Sequence, residues 1–94
     1  MLQKRFEFKF HDRSAENVIS FDYNDAMDEE MTVSIEHGVA VIYANKQAYL
    51  TLAKAFIKLA LGNYQSGFHF HLGQDFNDDD PNAMRCHVVD SSES

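Results

Sequence analysis

The chain is short of the residues that mark several protein classes. It has one cysteine, Cys86, so no disulfide can close within it. A reducing, cytoplasmic setting is the expectation. Tryptophan is absent, and one proline and four glycines are too few for a collagen-like or low-complexity chain. Cations are also scarce: eight Lys and Arg against fifteen Asp and Glu give a formal net charge of −7. That balance argues against nucleic acid, whose phosphates demand basic side chains. It argues equally against an anionic membrane surface. No stretch approaches ~18 consecutive apolar residues, the length a membrane-spanning helix needs. The opening "MLQKRFEFKFHDR" lacks the unbroken apolar core of a secretory signal.

What is present belongs to a small folded domain. Of 94 residues, 45% are hydrophobic and 13% aromatic, enough for one thin core and not for two. The expectation is a single α+β domain over 1–94, frayed from about residue 90.

Hydrophobic periodicity supplies the elements. Residues 2–10, "LQKRFEFKF", alternate, with Phe6, Phe8 and Phe10 on one side and Glu7 and Lys9 on the other. That period of two predicts a half-buried strand. Residues 17–23, "NVISFDY", predict a second, with Ile19, Phe21 and Tyr23 sharing a face. The stretch 24–30, "NDAMDEE", reads as an acidic connection carrying Asp25, Asp28, Glu29 and Glu30. Residues 31–44 predict a hairpin turning at His37-Gly38, where glycine accepts a positive φ. A two-residue loop would set Ile35 opposite Ala40, Val33 opposite Ile42 and Met31 opposite Ala44, six apolar residues on one face.

Asn45 is placed to cap a helix that runs to Gly62. Tyr49, Leu52, Ala53, Phe56, Leu59 and Ala60 form an apolar stripe at helical spacing, widened by Leu50, Ile57 and Leu61. Gln47, Thr51, Lys54 and Lys58 form the narrow polar strip. So broad an apolar face fits a helix lying deep against a sheet, or one that also contributes to a homodimer. Strands at 67–72 and 83–89 complete the order β-β-β-β-α-β-β. The expected fold is one helix packed on one face of a mostly antiparallel sheet of five to six strands.

Two constellations carry candidate chemistry. If Phe70 pairs with Cys86, then His69 lies opposite His87 and His71 opposite Arg85. His69, His71 and His87 could then present three nitrogen ligands to zinc, leaving a position for water, as in a metal-dependent hydrolase or a metal-binding module. The other reading is a solvated strand face whose Arg85 repels a cation. The second constellation is Asp75, Phe76, Asp78, Asp79 and Asp80. As a calcium loop it fails at both diagnostic places: Asp80 stands where the sharp-turn glycine belongs, and Cys86 where the closing glutamate belongs. It reads instead as a charged turn ended by Pro81. Cys86 and His87 are strand neighbours facing opposite ways and cannot form a dyad. No glycine-rich phosphate loop, paired CxxC or serine elbow is present, so nothing calls for an enzyme.

Residues 42–72 resemble a family of bacterial immunity proteins from polymorphic toxin systems, immunity protein family thirty-two. Ala44-Asn45 ends a strand and opens a helix with Leu52-Ala53 and Leu59-Ala60. His69-Phe70-His71-Leu72 supplies an HxHL strand. The resemblance covers about a third of the chain. It departs after Leu72, where Gly73-Gln74 precede the first acidic residue. It implies an α+β cytoplasmic inhibitor that binds a toxin domain without catalysis or cofactor. Many toxin domains have a basic cleft, which an acidic protein could approach and plug. The candidate footprint is Asp75, Phe76, Asp78, Asp79 and Asp80, together with Asp28, Glu29 and Glu30; Tyr23 is a further aromatic anchor.

Overall fold

The computed structural model describes residues 2–23 and 28–89. Asp25 and the tail at 90–94, read above as loop and frayed end, lie outside the described residues. The fold is α+β. Strand β1 (Met31–Glu36) turns into β2 (Val39–Ala44), helix α1 (Lys46–Leu61) follows, and β3 (His69–Leu72) and β4 (Met84–His87) complete the order.

Both strand pairs are antiparallel; the first takes the register that a two-residue turn predicts, and the second takes the one supposed above. Val33 faces Ile42 and Ile35 faces Ala40 in the first pair. In the second, Phe70 faces Cys86, His69 faces His87 and His71 faces Arg85. The β1–β2 turn holds φ at 52° on His37 and 78° on Gly38. Two successive positive values match the twist of a two-residue hairpin.

The N-terminal third departs from expectation. Residues 2–10 and 17–23 form no strand, and the described strands make two two-stranded sheets rather than one sheet of five or six. Alternation reports that a segment has two unlike sides; it does not supply a free edge to pair with. Phe6, Phe8 and Phe10 still share a side, with ring centroids 6.4 and 5.6 Å apart in succession. The middle ring lies against lysines of the helix: the Lys54 and Lys58 ammonium groups sit 5.6 and 5.8 Å from the Phe8 ring centre. Residues 18–22 run along α1, sending Ile19 and Phe21 into or against the core.

Helix α1 begins and ends where the sequence places its caps. The Asn45 side chain accepts from the Ala48 N–H at 2.8 Å. Gly62 donates to the Lys58 carbonyl at 2.9 Å, in extended rather than left-handed backbone. Which side the helix buries is a correction. Gln47, Ala48, Thr51, Leu52, Ala55 and Lys58 are buried, so most of the polar strip points inward. Tyr49, Leu50, Phe56 and Leu61, from the apolar stripe, are exposed. The cause is the company Lys58 finds. The residue is 5% exposed, and its ammonium donates to the Ser20 carbonyl (2.8 Å), Ser20 Oγ (3.0 Å) and Asp22 Oδ1 (2.9 Å). A buried ammonium persists only with such a set of acceptors. The segment at 18–22 supplies them because its backbone is not committed to a sheet.

The core is small: Ile19, Met31, Ala48, Leu52, Ala55, Phe70 and Leu72 are buried, with Phe21, Val33, Ile42 and Cys86 among those packed on it. Phe6 and Ile35, each on the apolar side of its segment, are 48% and 71% exposed. The Val33 N–H donates to the Gly73 carbonyl at 2.9 Å, which joins β1 to the end of β3. No helix among the described residues is long and apolar enough to cross a membrane.

Candidate functional site

Two surfaces carry the residues singled out by sequence, and each is built from its backbone outward. The first is acidic. Asn45 fixes one part of it: besides capping α1, its Nδ2 donates to the Asp28 carbonyl at 2.8 Å, and its backbone N–H donates to the Glu30 carbonyl at 3.0 Å. One residue thereby holds the 28–30 segment at the start of the helix. Asp28 and Glu30 are exposed and Glu29 is half-buried.

The loop at 73–83 forms the other part. Asp78 is its organiser. Its Oδ1 accepts from the Asp80 N–H (2.8 Å) and its Oδ2 from the Gln74 N–H (2.9 Å). These backbone donors, Asp80 first, hold its carboxyl below the usual range, and a smaller Coulombic contribution comes from His71. Asp80 Oδ1 accepts from the Asn82 N–H at 2.9 Å. Asp78 and Asp80 therefore shape the loop, while Asp75 and Asp79 are exposed. Gly73 is required here for space: a Cβ on it would stand 2.5 Å from Asp78 Oδ2 and 3.3 Å from the Ala83 Cβ.

The loop meets the 21–23 segment through aromatic rings. Phe76 packs edge-on against Tyr23 at 5.6 Å and, tilted, against Phe21 at 5.5 Å. Phe21 in turn meets the buried Phe70 edge-on at 5.3 Å. Partial burial pushes the Tyr23 phenol up, and the charges of Asp75 and Glu29 push it further. Tyr23 thus lies within the field of a carboxylate from each segment. Beside this face, a cleft of about 570 Å³ is lined by Val33, Ile35 and Met84 and by Asp75, Asp78 and Asp80. Sequence reasoning missed the contribution of β1 to that cleft. The one available signal was Gly73, a glycine between a strand and an aspartate run, which marks a close approach of backbone.

The second surface is the histidine face of β3–β4. The Val88 N–H donates to the Phe68 carbonyl at 2.8 Å, so Phe68–Val88 is a hydrogen-bonded pair and His69–His87, one step on, is not. Side chains approach more closely at the second kind of pair. The His69 and His87 rings accordingly stack at 4.5 Å, 20° from parallel, with His71 at 5.1 Å from His69. His69 Nδ1 lies 3.0 Å from the Gly67 carbonyl and His71 Nδ1 3.2 Å from the Asp78 carbonyl. Each carbonyl is an acceptor, so each neutral ring carries its proton on Nδ1. Desolvation pushes the His87 imidazole below its ordinary value, and His69, Arg85 and His71 add to that.

Imidazole lone pairs lie in the ring plane. Rings stacked face to face point them alongside one another, not at a common point. Among the described residues, no group of three or more His, Cys, Asp or Glu side chains is placed to hold a metal ion. Cys86 is half-buried, and burial pushes its thiol up, away from the thiolate a nucleophile needs.

Comparison with protein-family models, curated proteins and solved structures gives no match to this chain.

Proposed function

We propose that this chain is an immunity-type binding protein that neutralises a toxin domain with a basic cleft by covering it. The observation that carries the reading is the packing of Phe76 against Tyr23, whose phenol feels the charges of both Asp75 and Glu29. An exposed aromatic side chain thereby stands among carboxylates. Tyr23 is 54% exposed and rigidly supported, the kind of side chain that anchors protein interfaces. The surrounding carboxylates steer a cationic partner and fix its orientation. The resemblance over 42–72 points to the same role. A cytoplasmic location and the absence of nucleic-acid or membrane partners belong to the same proposal.

The test begins with the reading frames beside this chain's gene; the absence of any toxin domain among them counts against the proposal, and one that is present is the partner to use. Co-expression should restore growth, and the two proteins should form a one-to-one complex. Replacing Glu29 by Gln, Asp75 by Asn and Asp79 by Asn together should slow association about tenfold at low ionic strength and much less at high salt. Tyr23→Ala should mainly speed dissociation. No protection by the wild-type chain, or association rates indifferent to both changes, would remove this face from the proposal.

A further inference from the structure

The hairpin fixes the direction of every backbone group on β2. In an antiparallel ladder, hydrogen-bonded pairs alternate with pairs whose N–H and C=O point outward. The Asn45 N–H bonds back to the Glu30 carbonyl, while the Val33 N–H turns away from β2 to reach Gly73. Val39, Val41, Tyr43 and Asn45 therefore bond toward β1. Ala40, Ile42 and Ala44 aim their N–H and C=O groups away from it. Among the described residues, no backbone or side-chain bond reaches those outward groups.

The other edges are protected. Gly73 occupies the outer side of β1 through Val33, and the acidic loop occupies the outer side of β3, where the Asp78 N–H donates to the His71 carbonyl at 2.7 Å. On β4 the outward residues are Arg85 and His87, in a strand of four. Short edges and charged residues discourage pairing. Strand β2 has neither protection. It reads "VAVIYA", six residues without a charge or a proline, and Val39 and Tyr43 are 59% and 53% exposed.

We infer that β2 pairs with β2 of a second copy, antiparallel, about a two-fold axis at Ile42. That register satisfies all the outward groups. Ala40 meets the partner's Ala44, Ile42 meets the partner's Ile42, and Ala44 meets the partner's Ala40, with two bonds at each, about six in all. Shifting the axis by one residue either way loses a facing pair. The same register sets Val41 opposite the partner's Tyr43, an aromatic and β-branched pair of the kind that stabilises sheets. No charged residue faces its own kind at the seam, so the charge of −7 opposes the contact only from a distance, where salt screens it. An uncharged edge offers a basic partner nothing. The 73–83 loop lies beyond β1, on the side of Gly73, away from the β2 edge.

Sedimentation of the full chain from about 1 to about 500 μM, with amide hydrogen exchange at both ends of that range, tests the pairing. The expected result is a dimer in which the Ala40, Ile42 and Ala44 amides exchange at least about tenfold more slowly than in the dilute monomer. Ala40→Pro removes one outward donor and leaves the β1 ladder whole, so it should sediment as a monomer. Val41→Lys sets a charge against the partner's Tyr43 and should do the same; it decides the matter if the proline variant does not fold. A wild-type monomer throughout would overturn the inference. So would a dimer that survives the substitutions, which would place the contact elsewhere, for example on the exposed side of α1. If neither variant folds, the wild-type exchange decides: amides at Ala40, Ile42 and Ala44 indifferent to concentration would overturn the pairing.

Discussion

The two strand pairs obey the same alternation and reach different ends. The β1–β2 pair closes through two residues, His37 and Gly38, whose positive φ values are a local property of the turn. The β3–β4 pair closes through residues 73–83, whose shape depends on aspartate side chains bonded to nearby backbone. The first hairpin has an apolar free edge and an exposed tip. The second carries Phe70 and Leu72, 1% and 0% exposed, beneath a face of stacked histidines. A tight turn lets a hairpin form with little help from the rest of the chain. A long loop ties its hairpin to the core and to the charge state of its own side chains.

The sharpest way to break that contrast is to truncate an apolar residue in each pair. Phe70→Ala should cost about 3–5 kcal/mol, because the ring is buried and touches both Phe21 and Phe56. Ile35→Ala, at a side chain 71% exposed, should change stability by less than about 0.5 kcal/mol. Urea denaturation reads both, and equal losses would mean that the core does not rest on the second pair.

Gly73→Ala is the next largest change. The added Cβ would crowd Asp78 and Ala83, and should cost about 1–3 kcal/mol. The loss should appear as faster amide exchange at Gln74, Asp80 and Val33, with the His37-Gly38 turn untouched. Uniform acceleration along both pairs would show that the loop is not a separate unit.

Acid gives the smallest effect and sharpens the comparison further. His87 binds its proton less readily folded than unfolded, so its contribution to stability is present above the ordinary value of 6.5. It is lost as pH falls from there through the folded value. Asp78 is also depressed, so its contribution is present above the unfolded value and fades at much lower pH, as pH falls through the folded one. Both groups belong to the second pair. Amide exchange between pH 7 and 5 should loosen β3–β4 before β1–β2, and His87→Gln should abolish the difference in that window. Simultaneous loosening, or no effect of the substitution, would detach the histidine stack from stability.

Much of this fold is legible in the sequence. The register of the first pair, the Asn45 cap and the turn at His37-Gly38 follow from periods of two and 3.6 and from the needs of single residues, and alternation gives the faces of the second pair. The N-terminal third is where the reading fails. "LQKRFEFKF" alternates as a strand does, yet its phenylalanines stack on each other and Phe8 lies against lysines of α1. The helix face failed for a related reason. Hydrophobicity ranks Phe56 above Lys58 for burial, but Ser20 and Asp22 stand ready for the ammonium. The acidic and histidine residues were all visible as candidates. That Tyr23 packs on Phe76 was not, because no local rule links residue 23 to residue 76.

From residue 31 onward the sequence by itself determined the elements, the pairing of the first hairpin and which residues could carry charge outward, since those depend on neighbours a few positions away. Tertiary structure alone decided which side of α1 is buried, that the first two alternating segments join no sheet, and that β2 keeps a bare edge. Each of these depends on which distant group occupies a hydrogen-bonding or packing position first, and side-chain periodicity carries no record of that.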